Sequence, residues 1–427
     1  MKNRMSNRAS KYDILVIGGG PAGMMAAIAA AQAKASVRLL EGNSELGIKL
    51  MMTGKGRCNI TNAEKDRHKF LELFGKNGKF LYTAFGEFGP EEVVGFFEGR
   101  GVATKIERGG RIFPVSDKAG DVRQALIEEM KRLKVDVARD ARVSGLDLEG
   151  GKISKVTVDG KDDAGFDKVI LATGGLSYPG SGSNGDGLRW AEKAGHTIVL
   201  PRPALTPVIT REKWVRDLEG LSLKNVGVSI YQDGKKQDSR FGEALFTDKG
   251  MSGPVILDLS KKVGELLRRG SVKLAIDFKP ALDFTELDKR VQKDFGENQN
   301  RMFRNSLGEL LPQKLIPVII CLADIDPEKK VNLVTKEERK RLIHILKGLE
   351  LEVEGLVGFD KAVVTSGGVN LREIDPRTMK SRLVDNLYFA GEVLDLDAPT
   401  GGFNLQCAWS TGHLAGKSAA EDTISKE

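Results

Sequence analysis

Tyr12-Asp13-Ile14-Leu15-Val16-Ile17-Gly18-Gly19-Gly20-Pro21-Ala22-Gly23 is the stretch whose reading decides the fold. A short apolar, β-branched run enters a glycine turn, the pattern of a buried parallel strand. The alanine-rich run that follows, from Pro21 to Ala33, reads as a helix, and Val37-Arg38-Leu39-Leu40-Glu41 reads as the next strand. The three make a βαβ unit closed within about 30 residues. In that setting Gly18-x-Gly20-x-x-Gly23 is a dinucleotide-binding turn. Gly18 permits the tight turn, Gly20 lets the backbone approach a pyrophosphate, and Gly23 lets helix and strand pack closely. The helix opens at Pro21, and the free N–H groups of its first turn, from Ala22 onward, bring a partial positive charge to the phosphates. Glu41 ends the second strand, placed to accept from both ribose hydroxyls of an adenosine half and to repel a 2′-phosphate.

The same stretch could be mistaken for a membrane span, because Ile14 to Ala33 carries no charge and follows a basic start. Pro21 and the four glycines would break a spanning helix, so neither a span nor a signal peptide is expected. The 427 residues suggest two or three domains, and the 50 glycines fall in discrete turns with no collagen-like period. Cys58, Cys321 and Cys407 are far apart, which excludes a disulfide scaffold or zinc ribbon and favours a reduced, cytoplasmic chain. The formal charge of +7 fits an anionic ligand as well as RNA. The basic run around Lys329, Lys330 and Lys336 to Arg341 reads as a solvated helix face, so a nucleic-acid partner is not expected. His68, His196, His344 and His413 show no metal or triad spacing, and no metal is expected.

Two later segments echo the first. Lys168-Val169-Ile170-Leu171-Ala172-Thr173-Gly174-Gly175 is a buried strand ending in a glycine turn, and Asn386-Leu387-Tyr388-Phe389-Ala390-Gly391-Glu392 is a third of this style. Between them the texture changes to alternating strands, such as Val226 to Tyr231 and Val272 to Phe278, and then to a charged helical block. The expectation is an α/β chain with a doubly wound, Rossmann-like FAD-binding domain made from both ends. Into it are inserted a β-barrel-like domain and a small helical domain. The expected boundaries are a mobile tail over 1–11, the first part of the FAD domain over 12–198, and a β-rich insertion over 199–282 plus about 350–366. A helical domain over 283–349 and the second part of the FAD domain over 367–427 complete the chain, with a mobile end of about five residues.

The local turn does not separate FAD from NAD. FAD is favoured because Ala172-Thr173-Gly174 resembles the turn by which two-domain flavoproteins re-enter the dinucleotide fold, and Ala390-Gly391-Glu392 resembles their ribitol-binding segment. Gly180-x-Gly182-x-x-Gly185 also fits the glycine pattern, but it follows Tyr178-Pro179 with no strand before it. It reads as a loop near the flavin, not as a second, NAD(P)H-binding fold.

Thr53-Gly54-Lys55-Gly56-Arg57-Cys58-Asn59-Ile60-Thr61-Asn62 resembles the signature of the BaiN-like, or aminoacetone-oxidase-family, FAD-binding flavoproteins, with Thr53 where Ser is commoner. Gly110 to Pro114, Thr173 to Pro179, Gly391 to Asp395 and Gly401 to Gln406 agree, so the resemblance runs from about residue 12 to 418. It implies non-covalent FAD, a three-part architecture and oxidoreductase activity; the expected function is passage of hydride through flavin N5 to or from a small, cyclic or unsaturated organic molecule. The cofactor set so expected is Gly18, Gly20, Pro21, Ala22, Gly23, Glu41, Lys49, Thr53, Gly54, Gly56, Arg57, Cys58, Asn59, Val143, Thr173, Gly174, Gly175, Gly391, Glu392, Asp395, Gly402, Asn404, Leu405 and Gln406. Lys49 and Arg57 bring positive charge beside a diphosphate, and Asn59 addresses the flavin ring. Cys58 reads as a small packed residue against the cofactor more than as a redox centre. The turn over 401–406 precedes an apparent helix from Cys407 to Ala415, whose N–H groups face the flavin pyrimidine. Arg111, Phe113 and Tyr178 are substrate-side candidates, with a salt bridge and core aromatics as the plain alternative. NADH or NADPH is a candidate transient electron donor. Two other functions stay open from sequence: a tRNA-modifying flavoprotein and a flavin-binding module without turnover. No oligomeric state is specified.

Overall fold

The computed structural model describes residues 12–163 and 165–424. The expected tail over 1–11 and the last three residues lie outside them. The chain forms two compact units, one from residues up to 203 together with 363 onward, the other from 204 to 362.

The first unit is built on a five-stranded parallel sheet. Its order is Leu387–Phe389, Phe166–Leu171, β1 (Tyr12–Ile17), β2 (Val37–Leu40) and Asp136–Ala138. Between β1 and β2 runs α1 (Pro21–Gln32), in which Ala22 to Ala30 are all buried. A helix apolar on every side is a core helix, and alanine lets neighbours come close. The C-terminal helix, Phe403–Ile424, packs on it. A Cβ at Gly412 would lie 2.4 Å from the Ala22 carbonyl oxygen, and one at Gly416 would lie 2.1 Å from that of Ala26. Only glycine at those two positions allows this backbone approach. The helix expected over Cys407 to Ala415 therefore starts four residues earlier, at Phe403, and runs well beyond. The pair Ile198–Ala204 and Val364–Val369 forms a two-stranded sheet. That pairing keeps 199–203 and 363–366 with the first unit, where the sequence assigned them to the insertion.

The second unit is a closed six-stranded barrel. Around it the strands follow as Val208–Thr210, Gly250–Ser252, Lys235–Phe246, Ser222–Gln232, Val272–Asp277 and Leu349–Leu356. Closure removes the exposed sheet edges. Helices Phe284–Glu297 and Lys336–Lys347 start at reciprocal side-chain and backbone caps, Asp283 with Glu286 and Thr335 with Glu338. Their Leu287, Val291, Leu342 and Leu346 share one core with Val272, Leu274 and Ile276 of the barrel. Barrel and helices are thus one unit, not the two separate domains expected. Among the described residues no helix is long and apolar enough to cross a membrane.

Candidate cofactor-binding site

At the carboxyl ends of β1 and β2 the first unit encloses a cavity of about 380 Å³. This is where open parallel sheets bind ligands. Gly18 has a φ of +107°, and a Cβ there would sit 2.5 Å from the Ala172 carbonyl oxygen. A Cβ on Gly23 would sit 1.8 Å from the Gly18 carbonyl oxygen, so strand, turn and helix meet without room for a side chain. Gly20 differs: nothing lies within 4 Å of its Cβ position, which leaves the turn open on the cavity side. Gly20 is also the N-cap of α1 and supplies no side-chain cap, so the helix's first N–H groups remain available to a ligand. Thr173 Oγ1 is buried on the cavity wall with no hydrogen-bond partner. An open glycine cradle and a free helix N-terminus together fit a dinucleotide diphosphate.

One end of the cavity is organised by Glu41. Its Oε2 accepts from Gly19 N at 2.7 Å, and its Oε1 accepts from Asn43 N at 2.9 Å and Asn43 Nδ2 at 2.7 Å. Asn43 Nδ2 also reaches the Ser181 carbonyl oxygen at 3.2 Å, which ties in the loop Gly180 to Ser183 on the cavity wall. That loop holds the second glycine pattern. It contains a short 3-10 turn, Pro179–Ser181, and positive φ at Gly182 and Gly185, with no strand before it. Asn43, Arg142, Ser181, Asp186 and Trp190 line this end and were missed from sequence. Of these, Asn43, two residues after Glu41, and Ser181, inside the loop read from sequence as lying near the flavin, carried a local signal.

At the other end, helix Ile48–Met52 presents Lys49. Its Nζ donates to Glu392 Oε2 and to Ser177 Oγ, both at 2.6 Å. Glu392 Oε1 in turn accepts from Ser177 Oγ at 2.5 Å and Thr365 N at 2.8 Å. Burial pushes the Glu392 pKa up, but the Lys49 charge and these donors outweigh it and hold the carboxyl below its usual range. Ser177 lies inside the segment Thr173 to Pro179 but was not singled out as a site residue, and Thr365 had no sequence signal, its hydroxyl accepting from Leu176 N 189 residues away. Gly391, Asn404, Leu405, Cys407 and Ala408 complete this wall. Asn404 is held by its own loop, accepting from Ala398 N at 2.9 Å and donating to the Ala398 carbonyl oxygen at 2.8 Å.

Of the expected cofactor residues, Gly18, Gly20, Pro21, Ala22, Glu41, Lys49, Thr53, Val143, Thr173, Gly174, Gly391, Glu392, Asn404 and Leu405 line the cavity. The others stand elsewhere. Gly23 packs behind the turn. Arg57 is not on the cavity wall: its guanidinium pairs with Glu107 and with Asp117, at 2.8 Å from Nε, and lies 4.1 Å over the Phe113 ring. Gly54 and Gly56 shape that loop with positive φ. Cys58 is buried, its thiol pushed up to about 12 by burial, which removes the thiolate a redox role needs. Asn59 Oδ1 is buried without a partner, but the residue is not on the cavity wall. Gly175 packs against Thr365, Asp395 accepts from Asn77, and Gly402 packs on the Thr61 backbone. Gln406 turns away, donating to the Phe88 carbonyl oxygen at 3.0 Å and accepting from Thr61 Oγ1 at 2.6 Å. The early helix start explains this, because residues 404, 405 and 408 then share one face and 406 falls on another. Arg111, Phe113 and Tyr178 also lie off the wall. Arg111 Nε donates to the Arg108 carbonyl oxygen, and Tyr178 has a left-handed φ of 52°.

The family model described as the HI0933-like protein Rossmann domain matches residues 12–418. The 3-dehydro-bile acid delta(4,6)-reductase of Clostridium scindens is 34% identical, covering 95% of this chain and 98% of its own length. A ribosomal RNA dihydrouridine synthase of Escherichia coli is 30% identical, covering 94% and 96%. Among solved structures, the 3-ketosteroid delta1-dehydrogenase of Sterolibacterium denitrificans superposes with a TM-score of 0.54 at 14% identity, covering 96% of this chain and 99% of that one, a likeness of fold. With the cavity fitting a dinucleotide, these matches place the chain in the HI0933-like Rossmann-domain family, as an FAD-dependent oxidoreductase.

Proposed function

We propose that this enzyme adds two hydrogens across a carbon–carbon double bond conjugated to a carbonyl in a ring. The observation that carries the reading is a convergence of two relatives matched over nearly their whole length. One is named as a delta(4,6)-reductase of a 3-dehydro-bile acid. The other is named for making dihydrouridine, which is uridine with its ring double bond saturated. FAD, when bound and reduced by the donor, would supply the hydride for such a step, the second hydrogen arriving as a proton.

The chain's own residues bind and orient. The turn over 18–23 and the start of α1 hold the diphosphate, Glu41 with Asn43 holds the adenosine ribose, and Lys49 with Glu392 holds the ribitol side. Arg111, Phe113 and Tyr178 remain the substrate-side candidates. NADH or NADPH serves as a transient donor, since the described residues hold one parallel sheet and one dinucleotide turn. The free cysteines fit work in a reducing cytoplasm.

A free small ring molecule is the first reading of the substrate, supported by the more similar of these two relatives. A uracil ring carried by RNA is the second, favoured by the charge of +7 together with the Escherichia coli relative. The test incubates FAD-loaded enzyme anaerobically with NADH or NADPH and either ring enones or uridine-containing RNA. Mass spectrometry should find a product heavier by two hydrogens. Donor oxidation with every ring left unsaturated would contradict the proposal.

A further inference from the structure

Two turns of the second unit bring four cations together. Strand Ser222–Gln232 turns through Asp233 and Gly234 into Lys235–Phe246, and helix Pro254–Leu266 ends in Leu267-Arg268-Arg269-Gly270. Gln232 Nε2 donates to the Leu266 carbonyl oxygen at 2.9 Å, which fixes the turns side by side, and Gln232 is the register partner of Lys235. Lys235, Lys236, Arg268 and Arg269 are all exposed, and their side chains have no hydrogen-bond or ion-pair partner among the described residues. Asp233 is the one acid in the two turns.

The basic run that stands out in the sequence behaves differently. Lys329 is taken by Glu338 at 2.8 Å, and Arg339 by Asp288 at 2.6 Å. Two of that run's cations are thus already held by acids. The four cations of the turns are exposed and unpaired among the described residues, so an anion finds positive charge that no acid already neutralises. Two adjacent guanidinium groups suit the forked geometry of phosphate oxygens. The two turns hold no exposed large apolar side chain, which a membrane-surface segment would carry.

We propose that these turns form a phosphate-binding surface for RNA. The inference rests on the second substrate reading. Its test reads binding and not turnover, so the two fail separately. Full-length, FAD-loaded protein is titrated with a fluorescein-labelled, uridine-rich RNA oligonucleotide at several salt concentrations. Each phosphate contact on a single strand contributes about 0.7 to the slope of log K against log salt. Replacing Lys235, Lys236, Arg268 and Arg269 together by Ser should therefore flatten the slope by up to about 3, with FAD content unchanged. The charge-preserving pair Lys235→Arg and Lys236→Arg should keep the parental slope. Equal slopes for parent and fourfold variant would overturn the proposal. So would RNA that fails to bind at low salt while phosphatidylglycerol vesicles do.

Discussion

Lys49 Nζ and Glu392 Oε2, 343 residues apart in the chain, lie 2.6 Å apart on the wall of the cofactor cavity. The contact joins the segment after β2 to the segment after the last strand of the sheet, so both halves of the first unit close on one ion pair. Each side chain is about one-fifth exposed. Losing one partner therefore leaves a poorly solvated charge.

Lys49→Met should lower the stability of the apoprotein by about 2 kcal/mol, the scale of a lost hydrogen-bonded charge. It should also reduce the FAD retained through purification. Lys49→Arg should recover part of both. Denaturant titration and the ratio of flavin to protein absorbance are the checks, and a Met variant matching the parent in both would remove the pair from the account.

Two glycines of the same turn should respond in opposite ways. A Cβ at Gly23 meets the Gly18 carbonyl oxygen at 1.8 Å, whereas one at Gly20 meets nothing within 4 Å. Gly23→Val should yield protein without flavin and with a disrupted first unit. Gly20→Ala should melt near the parental temperature yet bind FAD more weakly, because its methyl occupies cofactor space. Circular dichroism melts beside flavin content separate the two outcomes.

The thiols of Cys58 and Cys407 are both pushed up to about 12, by burial and, for Cys407, also by Asp397 and Glu392. Cys321 is exposed. Native protein treated with iodoacetamide near pH 8 should be alkylated first at Cys321, as read by peptide mass spectrometry. Cys58→Ser should leave flavin reduction intact.

Asp422 accepts from Lys168 Nζ at 2.6 Å, Tyr388 Oη at 2.8 Å and Lys380 Nζ at 2.9 Å. Burial raises its pKa, but these three donors reverse the effect and hold the carboxyl far below the usual range. A depressed carboxylate stabilises above its unfolded value and loses that stabilisation as pH falls through the folded one. Asp422→Asn should therefore cost about 3 kcal/mol near neutrality. The gap to the parent should narrow between about pH 5 and about pH 2. Urea titrations across that range provide the check, and a gap independent of pH would contradict the assignment.

The βαβ unit was legible because its signals are local: an apolar strand, a glycine turn, an alanine helix and Glu41 within one short stretch. The ion pairs of Arg57 were not legible because its partners Glu107 and Asp117 are 50 and 60 residues away, and no local pattern announces an ion pair. The place of Gln406 off the cavity wall was hidden for another reason. Glycines 401 and 402 read as a turn that delays the helix, whereas their positive φ leads directly into it. Thr365 matters only through groups the fold brings to it, Leu176, Ser177 and Glu392. The single core shared by barrel and helices was equally hidden, since a change of texture along the chain does not reveal which surfaces bury each other.

Single turnover tests the central claim most directly. FAD-loaded enzyme is reduced anaerobically with one equivalent of dithionite and mixed in a stopped-flow cell with a cyclic enone or with uridine-containing RNA. The account predicts return of the oxidised-flavin absorbance, with saturated ring formed in equal amount to the flavin reoxidised. Flavin that stays reduced before every conjugated ring, and reoxidises only when dioxygen is admitted, would contradict it.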